Sequence, residues 1–329
     1  MKKLLAIFLS LVMVLCLAAC GGASDDEYED DWETEDVESS DEETTAAHAD
    51  SGHNHQAPAS TAGDLVFTFF GNNEVPEGVT WGDCTLITLP DGGHVLVDAC
   101  EGGYENSIVQ DIKDMGITSI ETAIFSHYHS DHYGGFDSFV DTFGVKNIYI
   151  DGFELDESIS WNTNAQPLRG WISKYEAKGC TVTTTMAGDE YEIGGVKFEI
   201  LYPKQDTAGA TTNDTSNVMR ISYGGLVALF CGDLYYTGES ACLAEVDNAL
   251  LKADLMKIMH HGANTSGSEE FIKAVSPKVA VAMGGHVINN LGLSRYSKVG
   301  AEVCQVWETG NTFVQFHDGD AAPYVWTEF

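Results

Sequence analysis

Three histidines and one aspartate fall within six residues, in His127-Tyr128-His129-Ser130-Asp131-His132, and Gly134-Gly135 follows directly. Imidazole nitrogen and carboxylate oxygen suit a borderline divalent cation such as Zn²⁺. One ion cannot easily use all four groups. His127 and His129 can face one ion while Asp131 and His132 turn toward a second. Two further groups have the same character: Gly232-Asp233 ends the apolar run 229–231, and His260-His261-Gly262 ends the apolar run 255–259. A solvent-exposed, His-rich turn would have no reason to follow an apolar strand and end in a glycine pair.

These groups need strand ends to hold them. Residues 121–126 read as a short buried strand, and 136–143 as the helix after the glycine pair. The histidine stretch therefore lies on a tight loop at the C-terminal end of a strand, where open α/β sheets place their sites. Strands are also expected at 65–70, 85–89 and 94–98, with Pro90-Asp91-Gly92-Gly93 turning the last pair into a hairpin. A helix at 104–115, a strand at 148–150 and a helix at 171–178 follow. Further strands are expected at 182–185, 191–193, 196–201, 218–223, 226–231, 255–259, 279–283 and 313–316, and further helices at 269–275 and 296–304. Hairpins mixed with βα units imply an α/β fold of two mixed sheets with helices on both outer faces.

The His-x-His-x-Asp-His pattern occurs with Gly82-Asp83, Pro90-Asp91-Gly92, Val97-Asp98, Gly232-Asp233 and His260-His261-Gly262, in that order. In this the chain resembles the metallo-β-lactamase superfamily, over nearly all of 64–329. In detail it is similar to the branch that includes the soluble domain of DNA-uptake competence proteins and the phosphorylcholine esterases. The resemblance implies an αββα sandwich of two mixed β-sheets flanked by helices, and two Zn²⁺ ions, with Mn²⁺ or another divalent metal as alternatives. His127, His129 and Asp233 would hold the first ion; Asp131, His132, Asp233 and His261 would hold the second, with Asp233 shared. Asp98 would support the site from behind. A hydroxide shared by the ions would attack the substrate. Asp131 and His260 are the expected catalytic side chains, His260 being free to bond a phosphate oxygen or protonate a leaving group.

The pattern is incomplete in one place. Members with two metals supply another histidine between the first stretch and the shared aspartate, yet no histidine lies between His132 and His260. Its expected location is the strand end Leu201-Tyr202-Pro203, so either water, Tyr202 or a nearby carboxylate completes the first ion, or that ion is weakly held. Competence-type relatives also carry Gly-His-Pro near the C-terminus, where this chain has Gly292-Leu293-Ser294-Arg295.

The N-terminal end has a different character. Residues 1–20 combine Lys2-Lys3, an apolar stretch and Leu17-Ala18-Ala19-Cys20, which resembles a bacterial lipobox and implies export and lipidation at Cys20. Residues 21–63 hold fourteen of the 51 acidic residues and no Lys or Arg, the composition of a solvated tether. That leaves 64–329 as one hydrolase domain with 37 acids against 14 bases, a balance that repels phosphate backbones at long range. The expected substrate is a small or surface-linked phosphodiester rather than long nucleic acid. Lactone, thioester or β-lactam hydrolysis is the alternative, as is a non-catalytic metal- or ligand-binding lipoprotein. No protein partner is inferable. The anchor would place the protein at the extracytoplasmic face of the cell membrane.

Of the remaining candidates, His94 and His317 read as structural, His48, His53 and His55 as part of the tether, and His286 as a possible pocket residue. In the exported domain, Cys84 is expected to face residue 99, close enough to Cys100 for a bridge. Free buried thiols are the equal alternative.

Overall fold

The computed structural model describes residues 56–71, 82–152, 165–204, 211–284 and 291–329, all within one unit, Asp50–Phe329. The proposed signal segment, most of the tether and His286 lie outside the described residues. Among the described residues, no helix is long and apolar enough to cross a membrane.

In chain order the elements are β1 (Leu65–Phe69), β2 (Thr85–Thr88), β3 (His94–Val97), α1 (Glu105–Asp114), β4 (Thr122–Phe125), α2 (Ser130–Tyr133), α3 (Phe136–Phe143), β5 (Asn147–Asp151), α4 (Ala165–Ala177) and β6 (Thr181–Thr185). The second half runs β7 (Glu190–Ile193), β8 (Val196–Tyr202), β9 (Val218–Tyr223), β10 (Leu226–Phe230), α5 (Tyr236–Glu245), α6 (Asn248–Leu251) and β11 (Leu255–Lys257). After a 3₁₀ turn at Met259–Gly262 come α7 (Glu269–Val275), β12 (Val279–Ala282), α8 (Ser294–Lys298), β13 (Glu302–Gln305), α9 (Val306–Thr309), β14 (Thr312–Phe316) and β15 (Tyr324–Thr327).

Two mixed sheets result, in the orders β15-β14-β1-β2-β3-β4-β5-β6 and β13-β12-β11-β10-β9-β8-β7. Each is antiparallel on one side and parallel on the other: β3 through β6 run parallel, as do β10 through β13. The alternation of side chains along β10 shows how the sheets stack. Leu226, Ala228 and Phe230 enter the core shared with the first sheet, while Val227 and Leu229 face the second core with α5, α7 and α8. Phe230 stacks on Phe69 of β1, with ring centroids 5.9 Å apart. On the outer face of the first sheet, Phe125 of β4 packs edge-on against Phe136 of α3 and Trp171 of α4. This is the expected αββα sandwich.

Two local expectations are corrected, and one helix is added. The run 296–304 is not one helix: α8 ends at Lys298, Gly300 takes φ +90°, and the chain enters β13 by residue 302. Helix α5 was not foreseen, because its apolar residues lack a strong one-sided pattern. In the β2–β3 hairpin Thr85 pairs with Val97, so the register brings Cys84 opposite Asp98 rather than residue 99. Cys84 and Cys100 are both buried and free.

Candidate metal centre

The C-terminal ends of β4, β10 and β11 converge. Strand β4 is buried throughout, and where it ends Asp98, from the end of β3, takes over. The Asp98 backbone is left-handed (φ +57°), a sparsely populated conformation for a residue with a side chain. Its carboxylate accepts from the Ser126 amide (2.8 Å) and the Ser126 hydroxyl (2.8 Å), and it lies 2.9 Å from His132 Nδ1. A proton on Nδ1 directed at Asp98 leaves Nε2 to face the site. Gly82 fixes the other side of the loop. It also has positive φ, and a Cβ there would overlap the Asp131 carbonyl oxygen, which accepts from the Asp83 amide at 3.1 Å.

The third strand end uses the same device. His260 and His261 are both left-handed, with φ of 44° and 55°. This turns His261 inward so that Nδ1 lies 3.2 Å from the Met283 carbonyl. Its Nε2 then stands 3.0 Å from Asp131 Oδ2 and 3.3 Å from Asp233 Oδ2. His132 Nε2 is 3.1 Å from the same Asp233 oxygen and 3.7 Å from Asp131 Oδ2. Asp131, His132, Asp233 and His261 thus bring two imidazole nitrogens and two carboxylate oxygens within 4.8 Å of one another. Asp233 Oδ1 is buried without a hydrogen-bond partner. A tetrad of N and O donors around a shared carboxylate fits a divalent cation such as Zn²⁺.

The electrostatics agree with that fit. Burial pushes His132 down, but Asp233, Asp131 and Asp98 together outweigh it and hold the imidazole well above its ordinary value. His261 behaves alike under Asp233 and Asp83. Burial would raise the Asp233 and Asp131 carboxyls, yet the two imidazoles hold both below the usual carboxylate range. In the absence of a metal ion, protons on two histidines supply the positive charge that the carboxylates require.

The other half of the constellation is different. His127 Nε2 lies 3.0 Å from His129 Nδ1, and burial pushes both imidazoles below the ordinary histidine value. These two rings are therefore neutral and ready to ligate. Tyr202 does not join them: it packs with Leu234, Cys242 and Val246, and the charges that act on its hydroxyl are those of Glu245, Asp214 and Asp151. His260 stands beside the tetrad but outside it, with Nδ1 bonded to Thr265 Oγ1 and its ring against Tyr235. His94 pairs with Thr88 and His317 with Asp64, both structural as expected.

Two charged residues of the site were not assigned a role from sequence. Lys257 on β11 is 2% exposed and shares the inward face of Leu255. Its ammonium ion-pairs with Asp83, lies 3.6 Å from Asp233 Oδ1 and donates to the Gly232 carbonyl at 3.4 Å. Asp83 has no partner in good hydrogen-bond geometry, so its contact with Lys257 is one of charge. A lysine inside the otherwise apolar run 255–259 was the available signal, because a cation on a buried strand requires a carboxylate.

A family model described as the metallo-β-lactamase superfamily matches residues 79–286, more than half of the chain and every one of these site residues. The chain belongs to the metallo-β-lactamase superfamily. It is 29% identical over 195 residues to competence protein ComA of Neisseria gonorrhoeae, covering 59% of this chain and 24% of that protein. It is 27% identical over 185 residues to ComE operon protein 3 of Bacillus subtilis, covering 55% of this chain and 22% of that one. The chain thus spans less than a quarter of either relative. Among solved structures it is similar to the metallo-β-lactamase fold protein YhfI of Bacillus subtilis, at 14% identity and a TM-score of 0.49, covering 77% of this chain and 100% of YhfI. As a member of this superfamily, the chain carries the His/Asp set where the fold implies divalent metal.

Proposed function

We propose that the protein is an extracytoplasmic metal-dependent phosphodiesterase, tethered through a lipidated Cys20, that acts on small or surface-linked phosphodiesters. His260 carries the phosphodiester reading. Its left-handed backbone separates it from the tetrad, with its ring centroid 5.8 Å from that of His261. Burial holds it below the ordinary histidine value, so the ring is neutral near pH 7. When the Thr265 hydroxyl donates to Nδ1, the ring proton resides on Nε2. That proton can bond a phosphoryl oxygen or pass to the departing alkoxide.

Divalent ions held by Asp131, His132, Asp233 and His261, and by His127 and His129, would supply Lewis acidity toward a phosphoryl oxygen and make water a stronger nucleophile. Zn²⁺ suits this donor set and Mn²⁺ is the alternative. Asp131 belongs with the ligands: its Oδ2 is committed to His261 and His132, so proton transfer falls to His260. Asp98 and Ser126 keep His132 oriented, and Lys257 fixes the Asp83 and Asp233 carboxylates.

Charge favours a short diester over a polymer. Binding long nucleic acid through counterion release requires a track of Lys and Arg. Residues 64–329 offer 14 such side chains among 37 acids. The competence names of the relatives are therefore not carried over as a DNA substrate. Turnover by the Zn²⁺-loaded protein of a small aryl phosphodiester, a lactone, a thioester, a β-lactam, and single- and double-stranded DNA tests the reading. The aryl diester should be the preferred substrate, and His260→Ala should lower its rate by about 10²–10⁴-fold without changing bound metal. Preference for the carbonyl substrates, steeply salt-dependent cleavage of DNA, or no turnover by a fully loaded protein would each overturn it. For the tether, Cys20→Ser should release the protein from membranes or leave its precursor uncut, and unchanged fractionation would refute lipidation.

A further inference from the structure

The missing histidine leaves the pair His127 and His129 one protein ligand short, and the loop between β8 and β9 contains a side chain suited to the vacancy. Residues 211–217 are tied to the site from both sides. The Asn217 amide donates to the Ser126 carbonyl at 2.8 Å, immediately before His127, and Asn217 Nδ2 donates to the Phe125 carbonyl at 3.1 Å. The Ser216 hydroxyl accepts from the amide of the shared aspartate, Asp233, at 3.2 Å. Asp214 closes the loop by accepting from Thr211 through Oδ2 and from the Gly238 amide through Oδ1. Between these anchors stands Asn213, 4% exposed, whose Oδ1 is buried and has no hydrogen-bond donor.

We propose that Asn213 Oδ1 takes the place of the missing histidine, so that the first ion is held by His127, His129, the shared Asp233 carboxylate and one amide oxygen. The inference rests on the metal-centre reading above. The Asn213 side chain adjoins the His129 side chain, on a loop tied to the Ser126 carbonyl and to the Asp233 amide. An unpaired buried amide oxygen is unfavourable, and a cation would satisfy it. The other candidates are engaged elsewhere. Tyr202 is in the apolar cluster with Leu234, and both Asp214 oxygens are committed to Thr211, Thr237 and Gly238. Asn217 Oδ1 also lacks a donor, but its amide group is fixed by Phe125 and Thr185. A neutral oxygen is a weaker Zn²⁺ ligand than imidazole. The first position should therefore bind Zn²⁺ more weakly than the tetrad.

Titration of the metal-free protein with Zn²⁺ in chelator-buffered solution, read by elemental analysis after equilibrium dialysis, tests this without reference to activity. The wild-type chain should bind two ions, one tight and one weak. Asn213→Ala should keep the tight ion, which also reports an intact fold, and weaken the second by more than the roughly 10–100-fold expected from losing a mere orienting partner. Asn213→His should bind the second ion more tightly than the wild type. An Asn213→Ala protein that retains both ions at wild-type affinity, or an Asn213→His protein that gains nothing, would overturn the assignment while leaving the tetrad intact. A wild-type chain that binds no ion would remove the metal-centre reading and this proposal with it.

Discussion

The two halves of the constellation differ in how completely the protein builds them. In the tetrad, ligand atoms from three strand ends converge on one point, and each imidazole is oriented from behind: His132 by Asp98, His261 by Met283 and Asp83. In the other half, His127 and His129 lean on each other and only His127 has an orienting hydroxyl, that of Ser126 at 3.0 Å. Charge follows the same division. The acidic half holds protons where an ion would sit, whereas the imidazole pair is neutral. Outer contacts and carboxylate charge, more than the number of histidines, decide which position is ready for a cation.

The largest effect should come from removing the cation beneath the tetrad. Lys257→Met leaves Asp83 and Asp233 buried without their lysine, and breaking such a pair costs about 3–5 kcal/mol. Thermal or denaturant unfolding of the metal-free protein should register that loss. A change under about 1 kcal/mol would mean that Asp83 is satisfied by something else. Next in size, Asp98→Ala should weaken Zn²⁺ at the tetrad by roughly 10–100-fold and leave the weaker position less affected, as read by competition with a chelator. Equal weakening at both positions would erase the distinction between the halves.

A pH titration sharpens the comparison further. Folded His132 and His261 lie well above 6.5, so their contribution is fully present below that value and is lost as pH rises through their folded values. His127 and His129 are shifted the other way and act only below 6.5. Between pH 6.5 and about 8, before thiols titrate, the metal-free protein should lose stability by up to about 1.4 kcal/mol per pH unit for each retained proton. The Zn²⁺-loaded protein should not, and parallel slopes for the two forms would contradict the assignment. The smallest effect is expected on the surface, where Asp137 pairs with Lys174 and Lys178 between α3 and α4. All three are partly or well exposed, so Asp137→Asn should cost no more than about 1 kcal/mol and leave bound metal unchanged.

The histidine stretch, Asp233 and His261 were legible because each follows an apolar strand and is flanked by glycine, which marks a strand end with a close backbone approach. The two-sheet sandwich was legible for a related reason, since hairpin turns and βα alternation occupy separate parts of the chain. Other features depend on contacts through space. Nothing local announces that Lys257 meets Asp83 across the sheets, or that the loop carrying Asn213 is tied to Ser126 and Asp233 by Asn217 and Ser216. The left-handed turns at Asp98, His260 and His261 were also hidden, because no glycine marks them at those positions. The apolar spacing over 296–304 reads as one helix, but Gly300 at φ +90° ends it and strand β13 follows.

The tetrad should be the principal metal position of this chain. Equilibrium dialysis of the wild-type, His261→Ala and His127→Ala proteins against low free Zn²⁺ measures it most directly. One tightly held ion is expected in the wild type and in His127→Ala, and its loss in His261→Ala. Retention of the tight ion by His261→Ala, with loss from His127→Ala, would contradict it.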